Sequence, residues 1–357
     1  MRLLLIVLLC LPVLSAQEAD SGVAVGATVS GLAAYSHQLA AGSPGDGPIA
    51  GGVRAVIYPT WKINSNWSVS AAFDINTEPY FYEEFTEPRY GFENYLIRAN
   101  LTYSRVREDR SLMVRVGELP SAFGSFLLRY DDAVNPLIDV PFSYGYYGKG
   151  VTSEGMPGAQ VDVTLGKLDA RVQLTNSSPA NPRGLFDRDQ YANWTVGGGY
   201  TISQGFRVGV SAYRGPYLDR DSAFFHPGES PPRDLPATAY GLDAKWGRGP
   251  WNIYAEVQHF LFTYHAIPTF DETVGYGELR RTLGPRWYAA ARISAVSYNR
   301  IPSRRIYETA IGYRPNRSQI IKVGYEAEEG PSIRGSLSNT FAIQLVTTLP
   351  EFSLAAR

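Results

Sequence analysis

The sequence predicts an all-β fold, a transmembrane antiparallel β-barrel of about 16 strands with a long third external loop folded into the lumen. Three observations predict it. Apolar and polar residues alternate with a period of two along the chain. Short and long connections exchange regularly between the alternating segments. After residue 16 no apolar run is long enough to cross a membrane as a helix, so any crossing must use strands.

The alternation is clearest from Phe92 to Ser104. Tyr95, Ile97, Ala99, Leu101 and Tyr103 share one face, and Asn94, Arg98, Asn100, Thr102 and Ser104 share the other, with Leu96 as the exception. In the 159–165 stretch Ala159, Val161, Val163 and Leu165 oppose Gln160, Asp162 and Thr164. In the 286–298 segment Trp287, Ala289, Ala291, Ile293 and Ala295 oppose Arg292 and Ser294. Such segments fall at 22–36, 50–60, 66–76, 92–106, 112–119, 157–165, 168–175, 190–200, 206–214, 236–246, 250–261, 272–282, 286–298, 304–314, 319–328 and 338–349. Most have the length that a tilted membrane strand requires.

Short connections carry turn residues, as at Gly166-Lys167, Ser203-Gln204-Gly205, Gly284-Pro285 and Pro315-Asn316. Between them lie mostly long ones, 37–49, 77–91, 120–156, 176–189 and 215–235. Tight turns at one end and long loops at the other, with an even strand count, are the layout of a barrel in the bacterial outer membrane, both termini lying on the periplasmic side. Trp61, Trp67, Trp246, Trp251 and Trp287 all flank short turns, where an interfacial belt belongs; Trp194 alone does not. A secreted β-sandwich also alternates, but it would need strands buried on both faces, which are scarce here.

Residues 1–16 read as a cleaved signal peptide: Arg2, an apolar run from Leu3 to Leu14, then small residues before Gln17. Cys10, the one cysteine, falls inside it, so residues 17–357 form a single disulfide-free barrel domain, exported through the periplasm. Acidic and basic side chains nearly balance, 34 against 33, which gives no support for a nucleic-acid partner.

The 120–156 connection is half apolar yet keeps neither a helical stripe nor an alternation. A connection so long is usually functional or disordered, and its apolar content argues against disorder. As a constriction loop it would set Phe123, Phe126, Leu127, Leu128 and Phe142 against the barrel wall. Arg129, Tyr130, Asp131, Asp132 and Asp139 would then narrow the water path. The alternative is a lid over the outer mouth. Within "RVGELPSAFG", Arg115 to Gly124, a strand runs into Gly-Glu and then a Pro/Phe-Gly corner. This resembles the strand before the constriction loop in porins of the phosphate-selective O/P type and related general porins. The resemblance implies a sixteen-stranded, commonly trimeric channel. Such proteins usually end on an aromatic residue, whereas here Phe352 is followed by five more residues.

On that reading the partners are outer-membrane lipid, small hydrophilic solutes and further copies of the chain in a trimer. The activity is passive diffusion, with no cofactor and no catalysis. Arg98, Arg115, Arg171, Arg207, Lys245, Arg280, Arg292 and Lys322 fall on polar faces and are expected to line the lumen. Asp162, Asp169, Asp243, Glu256, Glu278, Glu308 and Glu326 join them. The arginines favour anions and the acidic loop favours cations; the sequence leaves the sign open, with a weak anion preference as one reading. His37, His226, His259 and His265 show no catalytic or zinc-ligand spacing. Gly197-Gly198-Gly199 lacks the helix of a phosphate loop and reads as a bulge or a close wall contact. A non-conducting structural or adhesive barrel and, further off, an enzymatic barrel are the competing readings.

Overall fold

The computed structural model describes residues 21–37, 39, 47–78, 80–81, 91–125, 131–144, 151, 155–176, 192–216, 235–264, 268–299, 303–330 and 339–355. The 1–16 segment, Phe126, Leu127, Leu128, Arg129, Tyr130, His226 and His265 lie outside the described residues. The first eight strands are β1 (Gly22–Tyr35), β2 (Ile49–Lys62), β3 (Trp67–Glu78), β4 (Gly91–Arg107), β5 (Arg110–Leu119), β6 (Met156–Leu165), β7 (Leu168–Asn176) and β8 (Ala192–Ser203). The second eight are β9 (Phe206–Pro216), β10 (Pro236–Arg248), β11 (Trp251–Phe262), β12 (Phe270–Thr282), β13 (Trp287–Tyr298), β14 (Arg304–Tyr313), β15 (Gln319–Glu329) and β16 (Thr340–Ala355). Each strand pairs antiparallel with its neighbours in sequence, and β1 pairs with β16, so the barrel closes without a free edge.

Facing follows the alternation. In β13 Tyr288, Ala290, Arg292, Ser294, Val296 and Tyr298 are buried toward the inside, while Trp287, Ala291, Ile293 and Ala295 are exposed on the outside. The exposed face is apolar all round, as at Val172, Val210, Leu242, Val257 and Ile293. The inner face carries Arg54, Asp74, Asn100, Gln160, Gln173, Glu256 and Lys322. A barrel of this strand number is wide enough to keep an aqueous lumen, and an apolar outer belt with a polar interior suits hydrocarbon outside and water inside.

Aromatics mark both rims. Trp67 packs on Tyr103 at 5.1 Å and Trp287 on Tyr313 at 4.5 Å beside the short turns. Trp194, the exception in sequence, points outward near the long-loop end of β8 and so marks the opposite rim.

The register shifts at three places among the described strands, one of them at the β8–β9 turn between Thr201 and Ser203; the other two change the facing or length of a strand. Between β3 and β4 Ala72 pairs with Arg98 but Phe73 pairs with Leu96, so Ile97 is the extra residue. The phase reverses there. Leu96 joins Phe73 on the lipid face, and Tyr95, read from sequence as apolar-face, turns inward beside Asp74. Between β1 and β16 the register shifts again opposite Pro350 and Glu351, and β16 continues to Ala355 with Phe352 beside Val25 on the outside. The last strand thus runs past the expected end at residue 349.

Candidate functional site: the barrel lumen

The connection between β5 and β6 meets the inner wall at three places. Near its start the Ala122 amide donates to Gln173 Oε1 (3.0 Å), and Gln173 Nε2 donates back to the Pro120 carbonyl (2.7 Å). Gly124, at φ +75°, lies against β9 and β11: its amide donates to Ser211 Oγ (3.3 Å), and a Cβ there would strike Tyr144 and Glu256. Phe123 fills an aromatic cluster with Tyr213, Phe260, Phe262 and Tyr298. The second place is an acceptor hub at Glu256 on β11. It receives bonds from the Ser125 amide (3.0 Å), Ser125 Oγ (3.0 Å), Tyr144 Oη (2.7 Å), Gln258 Nε2 (2.8 Å) and Tyr276 Oη (3.2 Å). A carboxylate, which only accepts, fits five donors; an amide would not.

The third place is across the barrel. Arg54 on β2 is fully buried and holds Asp74 with Nη2 at 2.6 Å and loop residue Asp132 with Nη1 at 3.2 Å. Tyr80 Oη donates to Asp132 Oδ2 (2.8 Å) and Gln344 Nε2 donates to Tyr80 Oη (2.9 Å). Lys322 on β15 donates to the carbonyls of Asp132 (2.7 Å) and Leu137 (2.9 Å). Leu137 and Ile138 pack into two separate apolar clusters on β13–β16 and β1. Arg292 on β13 pairs with Glu308 and Glu278 and donates to the Asp139 carbonyl (2.7 Å). The loop returns through a short helical turn, Phe142–Tyr144, to Gly155. The Gly155 amide donates to the Ile97 carbonyl (3.1 Å), which satisfies the extra residue of the β4 bulge.

On the β5–β10 wall the inward charges meet water. Arg115 pairs with Asp162 at 2.6 Å, both side chains 30% exposed. Arg207 pairs with Asp169 at 2.6 Å and with Asp243 at 2.8 Å. Arg171 donates to the Gly124 carbonyl (2.5 Å). The glycine stretch is a close wall contact and not a bulge: Gly197 would place a Cβ 2.8 Å from Arg171 Nε, and Gly199 and Gly209 leave the room that Arg207 occupies.

The expected lumen residues therefore separate into two groups. Arg98, Arg115, Arg171, Arg207, Lys245 and Arg280 face the interior with water access, whereas Arg292 and Lys322 face inward but lie buried beneath the loop. Of the loop residues, Phe123 and Asp132 are buried against the wall, and Asp131 and Asp139 are half-buried. Asp131 accepts a bond from Tyr58 on β2. Tyr144 packs against the wall in the Glu256 hub. Arg54, Tyr58 and Tyr80 are loop contacts that the sequence did not single out; Arg54 occupies a polar position in an alternating segment, which is the signal it carries. His259 points outward, with Nδ1 2.9 Å from Thr273 Oγ1.

No family model and no curated protein matches the chain. Among solved structures, OmpF of Salmonella typhi in complex with daunomycin is similar with a TM-score of 0.63 at 10% identity, covering 94% of this chain and 100% of that one. The fold is that of the bacterial outer-membrane porins. The outer membrane channel DcaP of Acinetobacter baumannii gives 0.61 at 11% identity, over 94% of this chain and 100% of that one. An anion-selective porin from Comamonas acidovorans gives 0.61 at 11%, over 92% and 100%. At such identities the porin likeness is one of architecture, and the side chains of the lumen are this chain's own.

Proposed function

We propose that the chain is a passive channel of the bacterial outer membrane, through which small hydrophilic solutes and ions diffuse down their gradients. Residues 1–16 serve as its export signal and 17–357 as its one channel domain. The observation that carries the reading is the one-sided placement of the loop. Its start is held at Gln173 on β7 and Ser211 on β9, but beyond that it covers inward faces of β11–β16, β1 and β2, while the Arg115–Asp162 and Arg207–Asp169 pairs on the other wall stay partly exposed. A plugged adhesive barrel would bury both walls. The loop narrows the path and acts as its constriction, with Asp131 and Asp139 at its edge.

Charge favours anions. Arg98, Arg171, Lys245 and Arg280 meet no carboxylate among the described residues. The inward carboxylates Asp162, Asp169 and Asp243 each hold an arginine. Fixed positive charge that no partner neutralises raises the local anion concentration. Phosphate is the anion that the Arg115–Gly124 resemblance suggests. The channel assembles as a trimer, for which Gly31, Ala33, Gly51, Ile343 and Leu345 offer an apolar outer face of small relief.

Planar-bilayer recording of the folded chain from Gln17 onward, under a KCl gradient, tests this. Discrete conductance steps grouped in threes are expected, with a reversal potential of the sign given by chloride. Folded β-structure without steps overturns the channel, and a potassium-sided reversal potential overturns the anion preference alone.

A further inference from the structure

The short-turn rim of the barrel carries an unbalanced charge. Arg105, Arg107, Arg110, Arg248 and Arg281 end their strands on the outward face, all exposed. The turns beside them add Lys167, Arg286 and Arg317. Against these stand only Glu108, Asp109 and Glu351 among the described residues of that rim. Asp109 spends itself on Arg110, its near neighbour, at 3.7 Å with both side chains mostly exposed. The opposite rim is mixed: Arg214 and Arg305 face outward there with Glu118, Asp271 and Glu329. The five strand-end arginines do not serve the lumen, because they point away from it, and the three turn residues lie exposed beyond the strand ends.

Their height is also informative. Arg281 lies over the ring of Trp251 at 4.8 Å, and Trp251 belongs to the aromatic belt on that side. Trp61, Trp67 and Trp287 stand at the same rim, so the cations sit just beyond the belt, at the level of lipid headgroups. Long basic side chains lay their stems along apolar surface and send the charge into the headgroup layer. A guanidinium there meets phosphate through two parallel hydrogen bonds, which a zwitterionic lipid partly cancels with its own ammonium.

We infer that this rim binds anionic phospholipid headgroups of the adjoining leaflet, through Arg105, Arg107 and Arg110 on one hairpin and Arg248, Arg281 and Arg286 on another part of the ring. The inference rests on the barrel lying in a membrane and is independent of whether it conducts. The ring selects phosphatidylglycerol-type lipid as its neighbour and fixes the depth of the barrel against that leaflet.

Tryptophan fluorescence tests it, since the belt residues report which lipid stands beside them. The folded chain is placed in phosphatidylcholine vesicles containing either brominated phosphatidylglycerol or brominated phosphatidylcholine, and quenching is compared. Phosphatidylglycerol is expected to be enriched around the barrel by about five-fold or more at low salt. The preference is expected to fall toward unity as salt screens it. R105E/R107E/R110E is expected to remove most of it, R248Q/R281Q/R286Q to reduce it, and R214Q/R305Q at the other rim to leave it intact. Equal quenching by the two lipids in the wild-type chain overturns the inference, as does a preference that neither rim variant lowers. A barrel that fails to insert into vesicles defeats the membrane reading instead, and circular dichroism on the same samples tells the two failures apart.

Discussion

Gly199 and Gly209 pair across β8 and β9 on the inner wall; the Arg207 guanidinium fills the space where a Gly199 side chain would stand, and Asp243 with Arg207 the space over Gly209. There Arg207 holds Asp169 and Asp243 at once, with 27% of its side chain exposed. A methyl at Gly199 collides with the end of a flexible side chain, so the arginine gives way and not the backbone. Gly199→Ala is expected to lift Arg207 into the lumen, break its pair with Asp169 and lower the single-channel conductance. Gly199→Ala with Arg207→Ala is expected to recover it, and Gly277→Ala, which has open space around it, to change nothing. Unchanged conductance in Gly199→Ala would show that the cradle does not hold Arg207. The sequence exposes the glycines and points to a close approach. It does not say which arginine approaches, because that depends on pairing between strands and not on distance along the chain.

The loop is an element held by side chains from far-off strands. Arg54 is its strongest hold on the β2 side, and it is also the partner of the immobile Asp74. Arg54→Ala leaves two carboxylates buried without their cation, a cost of about 3–5 kcal/mol for an intact buried arrangement. Asp74 sits in a strand and cannot leave. Asp132 sits in the loop and can reach water, so the strain is expected to release the loop and not to unfold the barrel. Recordings of Arg54→Ala should show larger, noisier steps, while circular dichroism keeps its β-signal; quiet steps of wild-type size would mean that Lys322 and Glu256 hold the loop by themselves. The length, the apolar content and the boundaries of this connection are legible in the sequence. Its anchors are not, since Lys322 reaches Asp132 from the far end of the chain and no periodicity links the two. The strands are legible because a single repeat of two decides each one. Between Phe92 and Ser104 the one misfit, Leu96, lies beside the bulge at Ile97 that turns that repeat over.

At the scale of the whole molecule, the barrel is ordered by its two solvents. Val172 lies midway along β7, faces outward and is 54% exposed, with Val161 and Val196 beside it. In a water-soluble protein, exchanging so exposed a residue for lysine is nearly neutral, within about 0.5 kcal/mol. On the lipid face of a membrane barrel the same exchange costs about 2–4 kcal/mol near the midplane. Thr164, on the inner face of the neighbouring strand beside Asp169, provides the internal comparison. Val172→Lys is therefore expected to shift the urea midpoint for unfolding from phosphatidylcholine vesicles clearly downward, and Thr164→Lys to leave it close to wild type. The two variants carry the same charge and the same introduced side chain; they differ in the face of the sheet that receives it, and Thr164 also lies one residue from the end of β6, nearer the short turn. Equal midpoints would mean that both faces meet water, and the apolar belt would then have to be an assembly surface between protein chains and not the boundary with lipid.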